Sequence, residues 1–266
     1  MGNLKYCLVL QDHVYCPDYD DHEYMLNKLG IKGGYQSASE IFVHVELLPP
    51  DGVKSLMEPL DKWTLKVDQD VTPEWWDEEA DRPRVEKAVE EWRKEHVFAD
   101  GKHIVENGKV YALGDAMAKA YNNAIVRACG NATVEAYDSA KVAADGGAKV
   151  EAYGNATVKA IGNATVEARG NATVEAYDSA RVEAYHSAIV EAWGNTRVEA
   201  RGDATVKAYS WATVKAYDNA NVEAYDCARI EARGDAMVKA HDRVVVIYPL
   251  ENKVVYPAGW TAETHD

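Results

Sequence analysis

Carboxylates are the densest chemically active side chains in this sequence. They crowd between positions 68 and 81, where the chain carries Asp68, Asp70, Asp77, Glu78, Glu79 and Asp81. Such a run could hold a weakly bound cation or a basic peptide, although most such runs are simply solvated acidic segments. Four of these residues are named as candidates for contact with a partner protein: Asp77, Glu78, Glu79 and Asp81.

Cysteine and histidine near the N-terminus are the next candidates for chemistry. Cys7, His13, Cys16 and His22 lack the paired spacing that zinc ligands adopt. The chain has four cysteines, and they form neither a CxxC pair nor a disulfide-rich pattern. We therefore expect thiols in a reducing compartment, with no metal and no cofactor.

A third set lies in the segment GYQSASEIFVHVEL, which carries Ser37, Ser39 and Glu40. Its spacing resembles the Ser-x-Ser strand of ADP-ribosyltransferases, but the glutamate motif that completes that family's site is not identifiable. We name no catalytic residue. An enzyme with a site in the N-terminal region is kept as an alternative.

The charge of the chain limits its partners. Net charge is -15, and residues 1–110 hold 23 acidic against 13 basic residues, whereas the remainder holds 21 against 16. This acidity disfavours direct binding to nucleic acid and favours a protein with a basic surface. No stretch approaches the ~20 apolar residues of a membrane span. The N-terminus lacks a signal-peptide core, so we expect a cytoplasmic protein.

A repeat of eight residues begins at Ala116. Column five (positions 120 to 240) is Ala in all sixteen octads. Column three (126 to 246) is Val except for Ile230, and column one (116 to 236) is Ala except for Thr196. Because these columns alternate with variable ones, each octad predicts a five-residue strand with one buried face.

Columns seven and eight predict a tight corner after each strand, since most octads place Gly-Asn, Asp-Ser, Gly-Asp or Asp-Asn there. Identical strands joined by identical corners make a solenoid. Ala and Val fill only a thin interior, which favours two facing sheets. The predicted fold class is mainly β: a two-sided parallel β-solenoid with two octads per coil and about eight coils, roughly 40 Å long.

Two octads per coil place residues sixteen apart in one ladder. Column two then supplies the cations Lys149, Arg181, Arg197 and Arg229. Beside them, column four stacks carboxylates that repel one another. This row is either a solvated charged face or an acidic stripe for a basic partner, and its members are Glu135, Glu151, Glu167, Glu183 and Glu199.

Column six carries aromatic rings. One ladder alternates arginine and tyrosine from Arg169 to Arg233. Stacking alone stabilises such a surface, but exposed Tyr and Trp are also typical of binding hot spots, and an aromatic strip can bind carbohydrate. The other ladder supplies the second set of partner-binding candidates: Tyr177, Trp193, Tyr209 and Tyr225.

The chain is expected to hold three parts. Residues 1–100 predict a small acidic α+β domain, with strands at 6–10, 41–47 and 63–67 and a short helix at 23–29. Two further helices are expected, the first capped by Thr72 and the second beginning near Asp81. Residues 101–247 predict the solenoid, entered through capping hairpins that turn at Asp100-Gly101 and Asn107-Gly108.

Residues 248–266 predict a C-terminal cap that turns near Glu251-Asn252. An imperfect cap would leave backbone groups unpaired and allow a homodimer through the solenoid end. Three familiar solenoid functions fit poorly. The corners lack the repeated Asp of a calcium roll, the threonines form no regular ice-binding ladder, and the repeat has no long loops for polysaccharide cleavage.

The octad pattern A-T-V-E-A-Y-G-N follows the module LDKWTLKVDQDVTPEWWDEEADRPRVEKAVEEWRKEHVF. Together they resemble uncharacterised octapeptide-repeat β-solenoid proteins of phages, prophages and gut bacteria, over roughly residues 40–245. The resemblance brings no established activity and no site residues. It implies a mobile-element inhibitor whose acidic surfaces occupy a basic site on a host protein.

The sequence therefore favours a non-enzymatic protein-binding scaffold. A structural or self-assembling protein of a virion or cell assembly is the second hypothesis. An enzyme with a pocket of convergent polar groups in the N-terminal domain is the third.

Overall fold

The structure is a computed structural model that describes residues 5–17, 22–30, 41–249 and 253–255, with only the backbone of 22–24 and 253–255. Ser37, Ser39, Glu40, the side chain of His22 and the turn predicted near residues 251–252 lie outside the described residues. The chain divides into two compact units, Met1–Val97 and Phe98–Asp266.

The N-terminal unit contains a four-stranded antiparallel sheet in the order β2-β1-β3-β4. Its strands are β1 Lys5–Leu10, β2 Val14–Tyr15, β3 Phe42–Leu48 and β4 Thr64–Val67. Its helices are α1 His22–Lys28 and α2 Glu78–His96, and 3₁₀ turns span Gly52–Ser55 and Leu60–Lys62. The predicted α+β character, the three strands and the short helix are confirmed.

Large apolar side chains form the core of this unit. Leu8 of β1, Met25 of α1 and Phe42 of β3 pack together in one buried cluster. Val85 and Val89, one turn apart on α2, are also fully buried. The alternation along the strands and the four-residue spacing on the helix thus place the apolar side chains inside.

One helix replaces the two predicted after Thr72. Residues 73–76 form only a turn, closed by one backbone hydrogen bond of 3.1 Å. Asp77 then has an extended backbone, and its carboxylate accepts the N–H groups two and three residues later at 3.0 and 3.2 Å. Because an N-cap residue interrupts helical geometry, no helix can run through Asp77. The helix predicted to be capped by Thr72 is therefore wrong, whereas the helix predicted near Asp81 is α2, which begins at Glu78.

The second unit is a two-sided parallel β-solenoid. Its strands are β5 Val97–Phe98, β6 Lys102–Val105, β7 Lys109–Ala112, β8 Met117–Ala120, β9 Ile125–Ala128, β10 Thr133–Ala136, β11 Lys141–Ala144, β12 Lys149–Ala152, β13 Thr157–Ala160, β14 Thr165–Ala168, β15 Thr173–Ala176, β16 Arg181–Ala184, β17 Ile189–Ala192, β18 Arg197–Ala200, β19 Thr205–Ala208, β20 Thr213–Ala216, β21 Asn221–Ala224, β22 Arg229–Ala232, β23 Met237–Ala240, β24 Val245–Tyr248 and β25 Lys253–Val255. Even-numbered strands and β25 form an eleven-stranded sheet, and odd-numbered strands form a ten-stranded sheet.

The register confirms two octads per coil. Val134 lies beside Val150, and each later repeat strand up to β22 likewise pairs in parallel with the strand sixteen residues on. The eighteen strands from β6 to β23 make nine coils, where about eight were expected. The extra coil comes from β6 and β7, which pair in parallel with β8 and β9.

The predicted capping hairpins are therefore wrong. Val105, Val110 and Ala112 lie beside residues of columns five, three and five in the next strands, so the segment already follows the pattern of the core. At the other end, β24 pairs in parallel with β22, and β25 runs antiparallel to β24. This reversal ends the parallel ladder in the segment predicted as the C-terminal cap.

Each repeat strand covers four residues, columns two to five, and not the five predicted. The column-one residue closes the corner instead, as where the Ala124 N–H donates to the Tyr121 carbonyl at 3.0 Å. Most alanines and valines of the three fixed columns form one buried core, as predicted, whereas in the last coil Ala236 and Val238 are half-buried and Ala240 is exposed. Thr196 is 0% exposed, and among the described atoms its hydroxyl has no hydrogen-bond partner.

The corners match their prediction. Column seven has positive φ in all sixteen octads, from Asn122 to Asp242, in the region that Gly, Asn and Asp tolerate best. The five aspartates in this column have a second role, because each accepts the backbone N–H of the residue sixteen positions earlier at 2.9 to 3.4 Å. The side chain that permits the turn also joins two coils.

Candidate functional site

The glutamate row, Glu135 to Glu199 in steps of sixteen, lies on the eleven-stranded sheet with its members side by side across four strand pairs. Each carboxylate meets a donor from column six, two residues further along the chain. The hydroxyls of Tyr137, Tyr153 and Tyr185 donate to their glutamates at 2.6 to 2.7 Å. The guanidiniums of Arg169 and Arg201 pair with theirs.

Some of these bonds also shift pKa values within the row. The Lys119 ammonium donates to Glu135 at 2.7 Å and, together with Tyr137, holds the pKa of that carboxyl below its usual value. The bond to Glu151 raises the pKa of Tyr153 to about 12. Three carboxylates of the row thus pair with cations, and the other two accept tyrosine hydroxyls, so the row is a hydrogen-bonded surface and not a bare acidic stripe.

The ring stack is the column-six ladder at the opposite edge: Tyr177, Trp193, Tyr209, Tyr225 and His241. Its ring centroids are 4.6 to 5.3 Å apart, with planes inclined by 4 to 7°. The Lys159 Nζ atom lies 4.9 Å from the first ring centroid. The rings cover one another's faces and leave their edges outward. A sugar stacks on an open aromatic face, so this geometry does not suit the carbohydrate strip considered above.

Trp211 stands beside the ring stack, in column eight of the same edge. Its side chain is 67% exposed, and its backbone N–H donates to the Gly194 carbonyl at 3.2 Å. Asn195 and Cys227 hold the corresponding positions in the coils before and after it. Trp211 was not predicted from the sequence as a functional residue. The available signal was that no other octad has an aromatic residue in column eight.

The other column-six ladder alternates cations and rings. The guanidiniums of Arg169, Arg201 and Arg233 lie 5.4, 4.7 and 5.9 Å from tyrosine ring centroids. Each of these arginines also pairs with a glutamate of its own strand. This ladder is stabilised by contacts within the sheet and leaves few polar groups for a partner.

The acidic helix start is the group Asp77, Glu78, Glu79 and Asp81, and its members have different roles. Asp81 is 6% exposed and pairs with Arg84, whose guanidinium also donates to the Leu10 carbonyl at 2.7 Å. Asp77 caps α2. Glu78 and Glu79 are exposed. Only these two glutamates, with the outer edge of Asp77, are placed to meet a partner.

The N-terminal groove is an open cleft of about 260 Å³ between β2 and α2, lined chiefly by Cys16, Glu91, Trp92, Glu95 and His96. The rings of Trp92 and His96 stack with centroids 5.2 Å apart. Cys16 was considered above as a zinc ligand and as a free thiol, and no ligand-binding role was named for Trp92. The packing of β2 against α2 brings Cys16 and Trp92 to one surface.

An apolar recess of about 300 Å³ lies on the first coils of the eleven-stranded sheet. Ile104 and Met117 are its large apolar side chains, and Lys102 and Lys119 flank them. Ile104 is 72% exposed. His103, Ala118, Thr133 and Glu135 complete its lining.

Within residues 5–17, 22–30, 41–249 and 253–255, no three His, Cys, Asp or Glu side chains are grouped to hold a metal ion. The same residues include no helix with the length and apolar character to cross a membrane. Comparison with known proteins found no matching family model, curated protein or solved structure.

Proposed function

We propose that the protein is a non-enzymatic scaffold that binds another protein, with Trp211 and the ring stack at the centre of the contact. The exposure of Trp211 carries the proposal. Along its edge, column eight otherwise holds small or polar residues, and a 67% exposed tryptophan gains most from burial in an interface.

The surroundings of Trp211 are rigid before any partner arrives. The Ser210 N–H donates to Asp226 at 2.9 Å, and the Trp211 N–H is bonded to the preceding coil. The rings of Trp193 and Tyr209 are held between neighbours. A partner therefore spends little binding energy on ordering this surface.

Affinity capture with variants tests the proposal. Trp211→Asn installs the residue found at equivalent corners such as Asn195, so the solenoid should fold unchanged. We expect a partner captured by the wild type to bind the variant at least ~10-fold more weakly, the scale of a hot-spot truncation.

The matched control is Asn163→Ser, at the same column and edge three coils earlier. It should capture the partner as the wild type does. Equal capture by all three proteins would contradict a contact centred on Trp211.

The exposed carboxylates of the acidic helix start supply the charge component of the proposal. Glu78 and Glu79 would steer a partner with a basic surface, as expected from the net charge of -15. Glu78→Lys/Glu79→Lys should slow association and weaken its salt dependence, while leaving the Asp77 cap intact. Asp203→Lys/Asp235→Lys makes the same change in net charge on the solenoid and serves as the control.

The resemblance to phage and prophage proteins supports a narrower form of this proposal, in which the partner is a cytoplasmic host enzyme with a basic site. Inhibition of such an enzyme should then be lost in Trp211→Asn or in Glu78→Lys/Glu79→Lys. Full inhibition by both variants would reject the narrower form.

Self-assembly is a second candidate, favoured by the exposed end of the ten-stranded sheet. Among the described residues β23 is the last strand of that sheet, and Met237 is 61% exposed there. A strand edge of this kind can pair with a second copy. Light scattering should then show a dimer that Met237→Lys weakens; a monomer at every concentration would exclude this candidate.

The third hypothesis, an enzyme with its site in the N-terminal unit, requires a pocket with convergent polar groups there. The polar lining of the N-terminal groove, from Cys16, Glu91, Glu95 and His96, supports keeping this alternative as a hypothesis.

A further inference from the structure

We propose that Cys7 and Cys16 form a redox-active dithiol site that reacts with small, neutral or cationic disulfides and closes into an intramolecular disulfide. The site lies in the N-terminal unit, shares no residue with the surfaces of the proposed scaffold and does not depend on that function. Four observations support it: strand register, sulfur separation, unequal exposure and the lining of the N-terminal groove.

The register places the two cysteines directly opposite each other. Leu8 pairs with Tyr15 and Val9 with Val14, and the same antiparallel register brings Cys7 opposite Cys16. The Leu10 N–H donates to the His13 carbonyl at 2.8 Å, which makes that pair hydrogen-bonded. Because hydrogen-bonded and non-hydrogen-bonded pairs alternate, Cys7 and Cys16 form a non-hydrogen-bonded pair.

In such a pair the Cα atoms are about 4.5 Å apart and the side chains point the same way. This separation lies within the ~4.4–6.8 Å that a disulfide spans. The two Sγ atoms are 2.6 Å apart, and both residues are reduced. A disulfide can therefore form between them with little movement of the backbone.

Exposure divides the roles of the two thiols. Cys16 is half-buried and lines the N-terminal groove, where a disulfide in solution can reach it. Cys7 is 0% exposed and contacts the Cys16 sulfur from the protein interior. Cys16 is thus the attacking thiol, and Cys7 is the resolving thiol that only an internal partner can meet.

The charge of the groove lining determines which disulfides react most readily. Glu91 and Glu95 line it and repel anionic disulfides. The nearby ammonium of Lys5 is buried, lies 4.2 Å from the Trp92 ring centroid and donates to the Pro17 carbonyl, so it does not face the opening. A neutral or cationic disulfide such as cystamine fits this lining better than the anionic oxidised glutathione.

The reaction balances in two exchanges. The Cys16 thiolate attacks one sulfur of the small disulfide, forming a mixed disulfide and releasing one thiolate. The Cys7 thiolate then attacks the Cys16 sulfur, forming the Cys7–Cys16 bond and releasing the second thiolate. The protein loses two electrons and two protons, and the small disulfide is reduced to two thiols.

Intact-mass measurement of the full chain tests the site. In a Cys129→Ser/Cys227→Ser background, treatment with cystamine should remove the mass of two hydrogens and leave no adduct. Peptide mapping should show the Cys7–Cys16 link. Oxidised glutathione at equal concentration should react at least ~10-fold more slowly, a difference on the scale of two repulsive charges near the opening.

Two serine variants separate the roles. Cys7→Ser should hold one cysteamine adduct on Cys16, and Cys16→Ser should not react while folded, with circular dichroism confirming the fold of each. A lasting adduct on Cys16 in the background protein, or reaction of Cys7 in Cys16→Ser, would overturn the proposal. Equal rates with cystamine and oxidised glutathione would overturn the charge selection. None of these outcomes depends on Trp211 or on a protein partner.

Discussion

The solenoid and the N-terminal unit stabilise their cores in opposite ways. Most coils of the solenoid bury the same small side chains, and the repeat strands pair only with strands of the adjacent coils. The N-terminal unit instead buries large side chains, including those of Phe42 and Trp63, at positions that no repeat duplicates. The solenoid core should therefore be destabilised most by a larger side chain, and the core of the N-terminal unit by a truncated one.

The largest expected effect lies in the N-terminal unit. Phe42→Ala removes a fully buried ring and should lower the free energy of unfolding by ~3–5 kcal/mol, through lost burial and the cavity left behind. Hydrogen exchange followed on peptides would assign the loss to residues 5–97. Ile41→Ala, at a half-exposed neighbour, is the control and should have little effect.

Enlargement should be the damaging change in the solenoid. Ala184 is fully buried between the sheets, and Ala184→Leu should force them apart at a loss of ~1–3 kcal/mol. Urea unfolding measures the change. Arg181→Leu adds an apolar side chain to the outer face of the same strand and should stay within ~0.5 kcal/mol. Equal effects of the two variants would contradict a thin, filled interior.

The corner aspartates should show two separable contributions. Asp218 has φ of 57° and accepts the Gly202 N–H at 3.1 Å. Asp218→Gly keeps the backbone conformation and loses the bond, at ~0.5–1.5 kcal/mol. Asp218→Ala should lose ~1–2 kcal/mol more, since alanine disfavours this conformation. Thermal unfolding of both variants would measure the difference, and indistinguishable variants would refute the separation.

Thr196 is the position where the regular core is broken, and restoring the repeat should stabilise it. Thr196→Ala removes a buried hydroxyl with no partner among the described atoms, so we expect a gain of ~1 kcal/mol. The control is Thr205→Ala, which changes an outer threonine of the same solenoid. A loss of stability in Thr196→Ala would indicate that the hydroxyl is bonded in solution.

The smallest effect is electrostatic. Bonds from Lys239, and then from Tyr225 and His241, lower the pKa of Glu223 to about 2. A depressed carboxyl pKa stabilises the fold above the unfolded value of 4.5, and this contribution disappears as pH falls through about 2. Wild type should therefore lose slightly more stability than Glu223→Gln between pH 5 and pH 2 in acid titrations. Parallel curves would contradict the ion pair.

These two units also differ in how far their sequence predicts them. In the solenoid each buried column is sampled sixteen times, so the strand face, the corner and the two-octad coil could all be inferred from alanine, valine and the turn residues. Contacts that occur only once, as in the N-terminal unit, could not be inferred in this way. Nothing in the composition shows that Asp77 would cap α2 and so exclude the separate helix that was expected to begin at Thr72.

The candidate surfaces follow the same rule. The register of the glutamate row and of the ring stack follows from the period, but the tyrosine and arginine bonds to the carboxylates of the row depend on side-chain geometry. The meeting of Cys7 and Cys16 depends on one short hairpin, whose register no repeated pattern specifies. Trp211 was visible as a break in column eight, yet its exposure needed the structure.

Two octads per coil is the claim on which the account of the solenoid rests, and one distance tests it directly. Spin labels at Thr133→Cys and Arg229→Cys, in a chain whose native cysteines are serine, lie 96 residues apart in the same column of the eleven-stranded sheet. Six ladder steps of ~4.8 Å predict a separation of ~29 Å by pulsed electron resonance. Three octads per coil would give four steps and ~19 Å, and that result would contradict the account.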